Sequence, residues 1–577
     1  MEVTRQGNSL IVHASRYTLT CPDDRPFVHL YAPDQELHER NALMSLFVAS
    51  SVNTRAGQDD TTTLGDWQVE REPRGVSLIR EGGSSVWRGK LFRFRLTEER
   101  LAYTVEVEGA GTVTSVDYFG GYCSGLLRWG SGNFWSGQRF SQGFNPEPYT
   151  DEINLFSPDG GSVIDLTGVP LPNKGSWFFT PPPFCFAFES PGGWLGLGVE
   201  AAPGENRYCE FAYRGQRGAF TLALDYAGYL TIDGRYALPS IGIDFADDPY
   251  GAIAAHAHAL RAQNLAPMVD RPSPAWWHEP IFCGWGAQCG LARHGGGPAP
   301  SYARQEHYEG FMRALESKGI LPGVVVIDDK WQAAYGDNAV DIDKWPDLAG
   351  FVTSQHDAGR RVLLWLKAWD PDGLPPEECV TNAAGRVVAA DLTSPAYERR
   401  LRSSVEHMLS PGGLDADGFK IDFTARIPAS PGLRSAGDVW GLELMRRYLE
   451  VIYSTAKRVK PDALIIAHTP HPYLADVVDM IRLNDINIGK DVNEAMLHRA
   501  HIASIACPNA LLDTDNWPIT DREAWRRYLP LQVQLGTPTL YFVTEIDTTG
   551  EPLDDDDYAL LRQTWSQYRA SLPPLTD

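Results

Sequence analysis

The sequence predicts a multidomain protein: an N-terminal β-sandwich followed by a (β/α)8 TIM barrel, with no large C-terminal domain. Two observations predict it. Residues 1 to about 245 carry short runs of alternating apolar and polar residues, punctuated by Gly and Pro. From Pro280 the rhythm changes to short continuous apolar runs separated by amphipathic helical stretches, eight runs in about 260 residues. Alternation of period two marks half-buried strands, whereas apolar runs between helices mark parallel strands covered on both faces.

In the first half, SLIVHASRYTLT, LAYTVEVEG, FCFAFES, WLGLGVEA, YCEFAY and AFTLALDY supply strands. Their close spacing suits a sandwich. A Gly- and aromatic-rich stretch from Tyr118 to Tyr149 interrupts them. Long ordered loops are often functional, and a surface excursion packed by its own rings is the equal alternative. The region around Trp135 is the part expected to help close a site. Residues 249–265 (PYGAIAAHAHALRAQNL) are Ala-rich and read as a connecting helix, and a Pro-bearing segment follows. This divides the chain into a sandwich over 1–248, a connection over 249–275 and a barrel over 276–577.

The barrel strands are IFCGWG (281–286), VVVID (324–328), VLLWLK (362–367), GFKIDF (418–423), ALIIAH (463–468), MIRLND (480–485), ALLDTD (510–515) and TLYFV (539–543). Stretches such as PAYERRLRSSVEHML and WGLELMRRYLEVIYSTAKRV have helical period and lie between them.

Composition excludes several functions. Hydrophobic residues make up 43% of the 577, enough for large cores. A net charge of −23 argues against nucleic acid and anionic membrane surfaces. The N-terminus lacks an apolar signal core, no run approaches a membrane span, and the eight Cys are scattered without a C-x-x-C pair. A soluble, cytoplasmic protein with free thiols is the expectation.

In a barrel of this type the active site lies at the C-terminal ends of the strands. There the sequence places Trp285 in the first strand, and Asp328, Asp329, Lys330 and Trp331 at the second. Trp365, Lys367, Trp369 and Asp370 follow on the third, and Lys420 and Asp422 share one face of the fourth. His468 and His471 come after the fifth, Arg482 and Asp485 on the sixth, and Asp513 and Asp515 on the seventh. Any one of these alone is as readily a salt bridge or helix cap; the set is not explained by packing, because unpaired buried charges are costly. Two carboxylates facing each other across a barrel mouth are what glycoside hydrolysis requires, and Asp422 with Asp485 meets that need. Lys420 would help keep Asp422 ionised. The Trp residues suit stacking on sugar faces, although each is more often wall or core.

At these residues the chain resembles the α-galactosidase superfamily of retaining α-glycosidases, glycoside hydrolase families 27, 31 and 36, and family 36 most closely. VVVIDDKWQ is similar to the family's second-strand segment, DLTSPAYERRLRSSVEHML to its Asp-Leu-Ser/Thr-x-Pro segment, GFKIDF to its Lys-x-Asp nucleophile motif and DMIRLND to its Arg-x-x-Asp motif. Coverage is about residues 280–545. The resemblance implies Asp422 as nucleophile and Asp485 as acid/base; by their position after the seventh strand, Asp513 and Asp515 are the reserve candidates for the acid/base. It makes Asp328, Asp329, Trp365 and Lys420 sugar contacts and puts Arg482 in the site. Lys330, Trp331, Lys367, His468 and Trp285 complete the candidate substrate-binding set. It implies retention through a glycosyl-Asp422 intermediate without metal or organic cofactor, a carbohydrate partner, and compatibility with a homo-oligomer.

The departures concern the sugar. Lys330 stands where family 36 usually has Gly, HTPHPYLAD replaces a Cys- and Gly-rich run, and Trp369 and Asp370 replace the usual residues. A modified, branched or acidic sugar is therefore open. Lys330 is a candidate partner for an anionic group, and equally for a salt bridge to Asp328 or Asp341. A metal-dependent hydrolase is disfavoured because the first strand has no His pair. A Ser nucleophile elbow, a dinucleotide fingerprint and a P-loop are absent. A transglycosylase with the same intermediate and a noncatalytic carbohydrate-binding barrel are the alternatives.

Overall fold

A computed structural model describes residues 1–124, 131–137, 140, 142–144, 181–216, 219–483, 485 and 491–572. Residues 125–130, 138–139, 141 and 145–149 of the expected Tyr118–Tyr149 loop lie outside them. Within it, Gly121–Cys123 pairs antiparallel with Gly132–Phe134, and Trp135 is half-buried.

The N-terminal part consists of two largely antiparallel sheets. Glu2–Gln6, Ser9–His13, Thr18–Pro22, Phe27–Tyr31 and Met44–Phe47 form a five-stranded meander in sequence order. The larger sheet is organised around two long paired strands, Leu101–Tyr118 and Ala219–Ala237. Gly89–Leu96 shows how alternation builds the core: Lys90, Phe92, Phe94 and Leu96 are buried, and the residues between them are not. A cation in that row is tolerated because Lys90 Nζ reaches Asp59 at 2.8 Å, the Thr61 hydroxyl at 2.6 Å and the Ser50 carbonyl at 3.1 Å.

The second part is a parallel barrel of eight strands: β1 (Ile281–Cys283), β2 (Val324–Ile327), β3 (Arg361–Lys367), β4 (Gly418–Asp422), β5 (Leu464–Ala467), β6 (Met480–Arg482), β7 (Leu511–Asp513) and β8 (Thr539–Leu540). They pair in sequence order, β8 pairs with β1, and a parallel bridge between Asp513 and Thr537 closes the ring. Every residue of β2 and β5 is buried, as apolar runs inside a ring of helices require. The expected eighth strand is longer than the observed one: Tyr541, Phe542 and Val543 stay buried but leave the ladder.

Helices follow the strands except between β5 and β6. There Pro470 and Pro472 leave only the 3-10 turn Pro472–Leu474, since a proline cannot supply the donors a helix interior needs. The connecting helix appears as read, at Pro249–Ala262, capped by the Asp248 carboxylate on the Gly251 amide. It packs between the N-terminal strands and the helix Val492–Ala506. No helix among the described residues is long and apolar enough to cross a membrane.

The N-terminal part also fixes the loop that follows β4. Tyr229 stacks on Trp440 at 3.7 Å between centroids, its hydroxyl donates to the Ser430 carbonyl, and it accepts from the Leu433 amide at 2.9 Å. Leu442 and Glu443 donate their amides to the Tyr208 and Asn206 carbonyls. The chain leaving the barrel mouth at Asp422 is thus held from outside the barrel.

Candidate active site

Parallel strands present their last side chains to one mouth, and here that mouth is lined by charge. Lys420, two residues before the end of β4, crosses the interior and donates to Asp328 Oδ2 at 2.7 Å. Cys283, at the end of β1, donates its thiol to the same oxygen at 3.0 Å. The Tyr541 hydroxyl, just after β8, is 3.4 Å from Lys420 Nζ. This buried cluster ties four strand ends together beneath the opening.

Asp422 ends β4 and is 9% exposed. Its carboxylate accepts from the Trp365 indole at 3.1 Å and from the Phe423 amide at 2.8 Å. His468 Nε2 lies 3.3 Å from Oδ1, and Arg482 Nη1 lies 4.0 Å from Oδ2. Burial disfavours the Asp422 carboxylate, but these partners and the Arg482 and Lys420 charges outweigh it, holding its pKa well below the usual range. His468 is pushed the other way, down by burial and by Arg482.

Arg482 is the hub of the site. It donates to His468 Nε2 at 2.6 Å and to Asp485 Oδ1, and its Nη2 sits 2.6 Å from Asp515 Oδ2. Asp422, Asp485 and Asp515 therefore converge on one guanidinium. Asp515 has no exposed surface. Burial, then Asp513 and Asp485, raise its pKa to about 7 in spite of Arg482.

The rim between β2 and β3 is built on Tyr335. Its hydroxyl donates to Asp329 Oδ1 at 2.7 Å, and Lys330 Nζ and Lys367 Nζ each lie 4.1 Å from its ring centroid. Burial raises the Asp329 pKa to about 6, partly offset by the Tyr335 hydrogen bond. Lys367 pairs with Asp370 at 2.8 Å. Lys330 pairs with neither Asp328 nor Asp341, the partners expected from sequence, but with Asp372 at 3.1 Å. The physical reason is that Lys420 occupies Asp328, Lys344 occupies Asp341, and Lys330 points outward over Tyr335. Trp331 is fully buried with its indole donating to the Trp365 carbonyl at 2.8 Å, so it props the wall from behind.

Trp285 is half-buried at the mouth, edge-on to Trp517 at 5.8 Å, and Trp517 stacks near Tyr541. Trp369 is buried against Tyr448. His471 is away from the mouth, buried against Phe184 of the N-terminal part, and burial lowers its pKa to about 3. Among the described residues no group of three or more His, Cys, Asp and Glu side chains is placed to hold a metal ion.

Sequence reasoning missed Cys283, Tyr541 and Tyr335 as members of this site. The rule that finds strand-end residues was sufficient for the first two. Tyr335 lies in a loop with no signal of its own.

No family model matches the chain, and no curated protein matches it. Solved structures do. A family 31 sulfoquinovosidase from E. rectale, in complex with an aza-sugar inhibitor, aligns over 98% of this chain and 83% of its own, with TM-score 0.60 and 11% identity. A dextranase from Flavobacterium johnsoniae, complexed with isomaltotriose, aligns over 98% and 68%, with TM-score 0.52 and 11% identity. The cycloalternan-forming enzyme from Listeria monocytogenes, in complex with a pentasaccharide substrate, aligns over 98% and 54%, with TM-score 0.50 and 12% identity. The chain thus spans about half the length of the Listeria proteins it matches, 54%. At these identities the likeness is one of fold, and it does not single out family 36.

Proposed function

We propose that this chain is a retaining α-glycosidase with Asp422 as nucleophile and Asp485 as acid/base. One observation carries the reading: a carboxylate kept ionised at the end of β4 shares a single guanidinium with a second carboxylate after β6. Retaining hydrolysis needs two carboxyl groups close together, about 5–5.5 Å apart, one charged and one protonated. The fold likeness to glycoside hydrolases supports the reading.

In the first half-reaction an Asp422 oxygen bonds to the anomeric carbon as the glycosidic C–O bond breaks, and Asp485 gives its proton to the departing oxygen. In the second, Asp485 takes a proton from water, the water oxygen bonds to the anomeric carbon, and Asp422 is released with configuration retained. A sugar hydroxyl in place of water makes the same intermediate a transglycosylation. Lys420, through Asp328, and Trp365 hold the charged groups in place, and Asp329 and Trp285 are offered as sugar contacts.

The test is hydrolysis of p-nitrophenyl α-glycosides of galactose, glucose, N-acetylgalactosamine and xylose. A sulfonated sugar is added because two ammonium groups bracket Tyr335 at the rim. Cleavage of one member, abolished by both Asp422→Ala and Asp485→Ala, is expected. Turnover that survives Asp422→Ala would sink the mechanism.

A further inference from the structure

A carboxylate that accepts a hydroxyl from a sugar must stay ionised and must hold its direction, and the surroundings of Asp329 favour neither. It is half-buried just beyond β2, and burial raises its pKa to about 6. Asp328 beside it adds a like charge, and Lys420 is already engaged by Asp328. Among the described residues, the side chain that donates to the Asp329 carboxylate is Tyr335, at 2.7 Å on Oδ1. No donor among them reaches Oδ2, and that oxygen is not sealed from solvent.

We propose that Tyr335 is a positioning residue that holds Asp329 by one oxygen, so that the other accepts a hydroxyl of the sugar whose anomeric carbon faces Asp422. The inference rests on the glycosidase reading above and narrows its substrates to sugars with a free hydroxyl at that place. Tyr335 is itself fixed. Its amide donates to Asp372 Oδ2 at 3.4 Å, and Lys330 and Lys367, each 4.1 Å from its ring centroid, are tied in turn to Asp372 and Asp370. Its ring stands edge-on to Trp365 at 5.9 Å, and the Trp365 indole donates to Asp422 at 3.1 Å. One aromatic wall therefore sets both the sugar-holding carboxylate and the nucleophile. Burial and Asp329 push the Tyr335 phenol well up, so it stays a donor. The groups facing Asp329 are Asp328, Lys344 from the loop after β2, Lys367 on β3, Asp422 on β4, and Cys289 and Tyr308 from the helices between β1 and β2. The two cations in this set pair elsewhere, Lys344 with Asp341 and Lys367 with Asp370, which leaves the hydrogen bond to Tyr335.

Tyr335→Phe keeps the ring and its neighbours and removes only the donor. Asp329 then ionises at higher pH, because the bond that lowers its pKa is gone. The acid limb of kcat/KM should move up by about one pH unit, and kcat/KM on the parent glycoside should fall about ten-fold or more near pH 6. That loss depends on the hydroxyl that Asp329 accepts. On the monodeoxy analogue lacking it, the variant and the unaltered protein should differ by less than about three-fold. A merely structural role for Tyr335 predicts no such dependence on the substrate.

The experiment measures kcat/KM against pH for the full chain and for Tyr335→Phe, on the p-nitrophenyl glycoside found in the panel above and on its monodeoxy analogues. A raised acid limb, with a loss that disappears on one analogue, is the expected result. An unchanged limb, or an equal loss on the parent and every analogue as from a misfolded site, would overturn the proposal. Absence of cleavage by the unaltered protein is a different result, one that overturns the glycosidase reading and with it this inference.

Discussion

Replacing Lys420 with Met tests whether the buried charge cluster beneath the mouth is a structural necessity. Lys420 and Asp328 pair at 2.7 Å with side-chain exposures of 4% and 3%, so water cannot substitute for the lost ammonium. Breaking a buried pair by removing one partner costs about 3–5 kcal/mol, because the remaining charge is left without compensation. Asp328 would keep two donors, the Cys283 thiol at 3.0 Å and the Asp329 amide at 2.9 Å. These place the expected loss near the lower end, about 3 kcal/mol. Met fills much of the vacated volume, which keeps the cavity contribution small. The assay is the urea midpoint of the barrel transition for Lys420→Met, Asp328→Asn and the double variant. The double variant should recover at least half of the loss, since it removes the orphaned charge. A single-variant loss below about 1 kcal/mol, the value of an exposed pair, would refute the reasoning, as would strict additivity in the cycle.

Trp365→Phe removes the indole that donates to Asp422 at 3.1 Å while keeping the wall. A lost hydrogen bond to a charged group is worth about 1.5–3 kcal/mol, so kcat/KM should fall by roughly 10- to 100-fold, read on the best substrate of the panel. Asp329 has its pKa raised to about 6, above the unfolded value of about 3.9. Its effect on stability is therefore absent below about pH 4, grows unfavourable as the pH rises from about 4 to about 6, and is constant above that. Asp329→Asn should stabilise the protein by about 2–3 kcal/mol at pH 8 and by almost nothing at pH 3.5, measured by denaturant titration at the two values. Tyr229→Phe removes the hydroxyl that bonds Ser430 and Leu433. Faster limited proteolysis within 424–440 and a two- to ten-fold rate loss, with the barrel's circular dichroism unchanged, are the expected results, the rate loss being on the order of one hydrogen bond.

The barrel was legible because its strands are short apolar runs such as VVVI and LIIA, which only a parallel sheet covered on both faces explains. The strand-end rule then reached Asp422, Lys420, Arg482 and Asp485 directly. Two things escaped it, each for a physical reason. The missing helix between β5 and β6 follows from two prolines, and the connecting helix from the N-terminal part packs nearby, a relation that local periodicity does not encode. The partner of Lys330 is Asp372, set by how two loops fold over Tyr335 rather than by any spacing in sequence. His471, three residues from His468 and between two prolines, is expected on a loop rather than in the pocket, and it lies there, buried against Phe184 of the N-terminal part.

The central claim is double displacement through Asp422, and the most direct test is proton NMR of the first sugar released from whichever α-glycoside of the panel is cleaved. The mechanism predicts that the α-anomer appears first and the β-anomer only later, by mutarotation. A β-anomer formed first would mean a single displacement by water and would contradict the role given to Asp422.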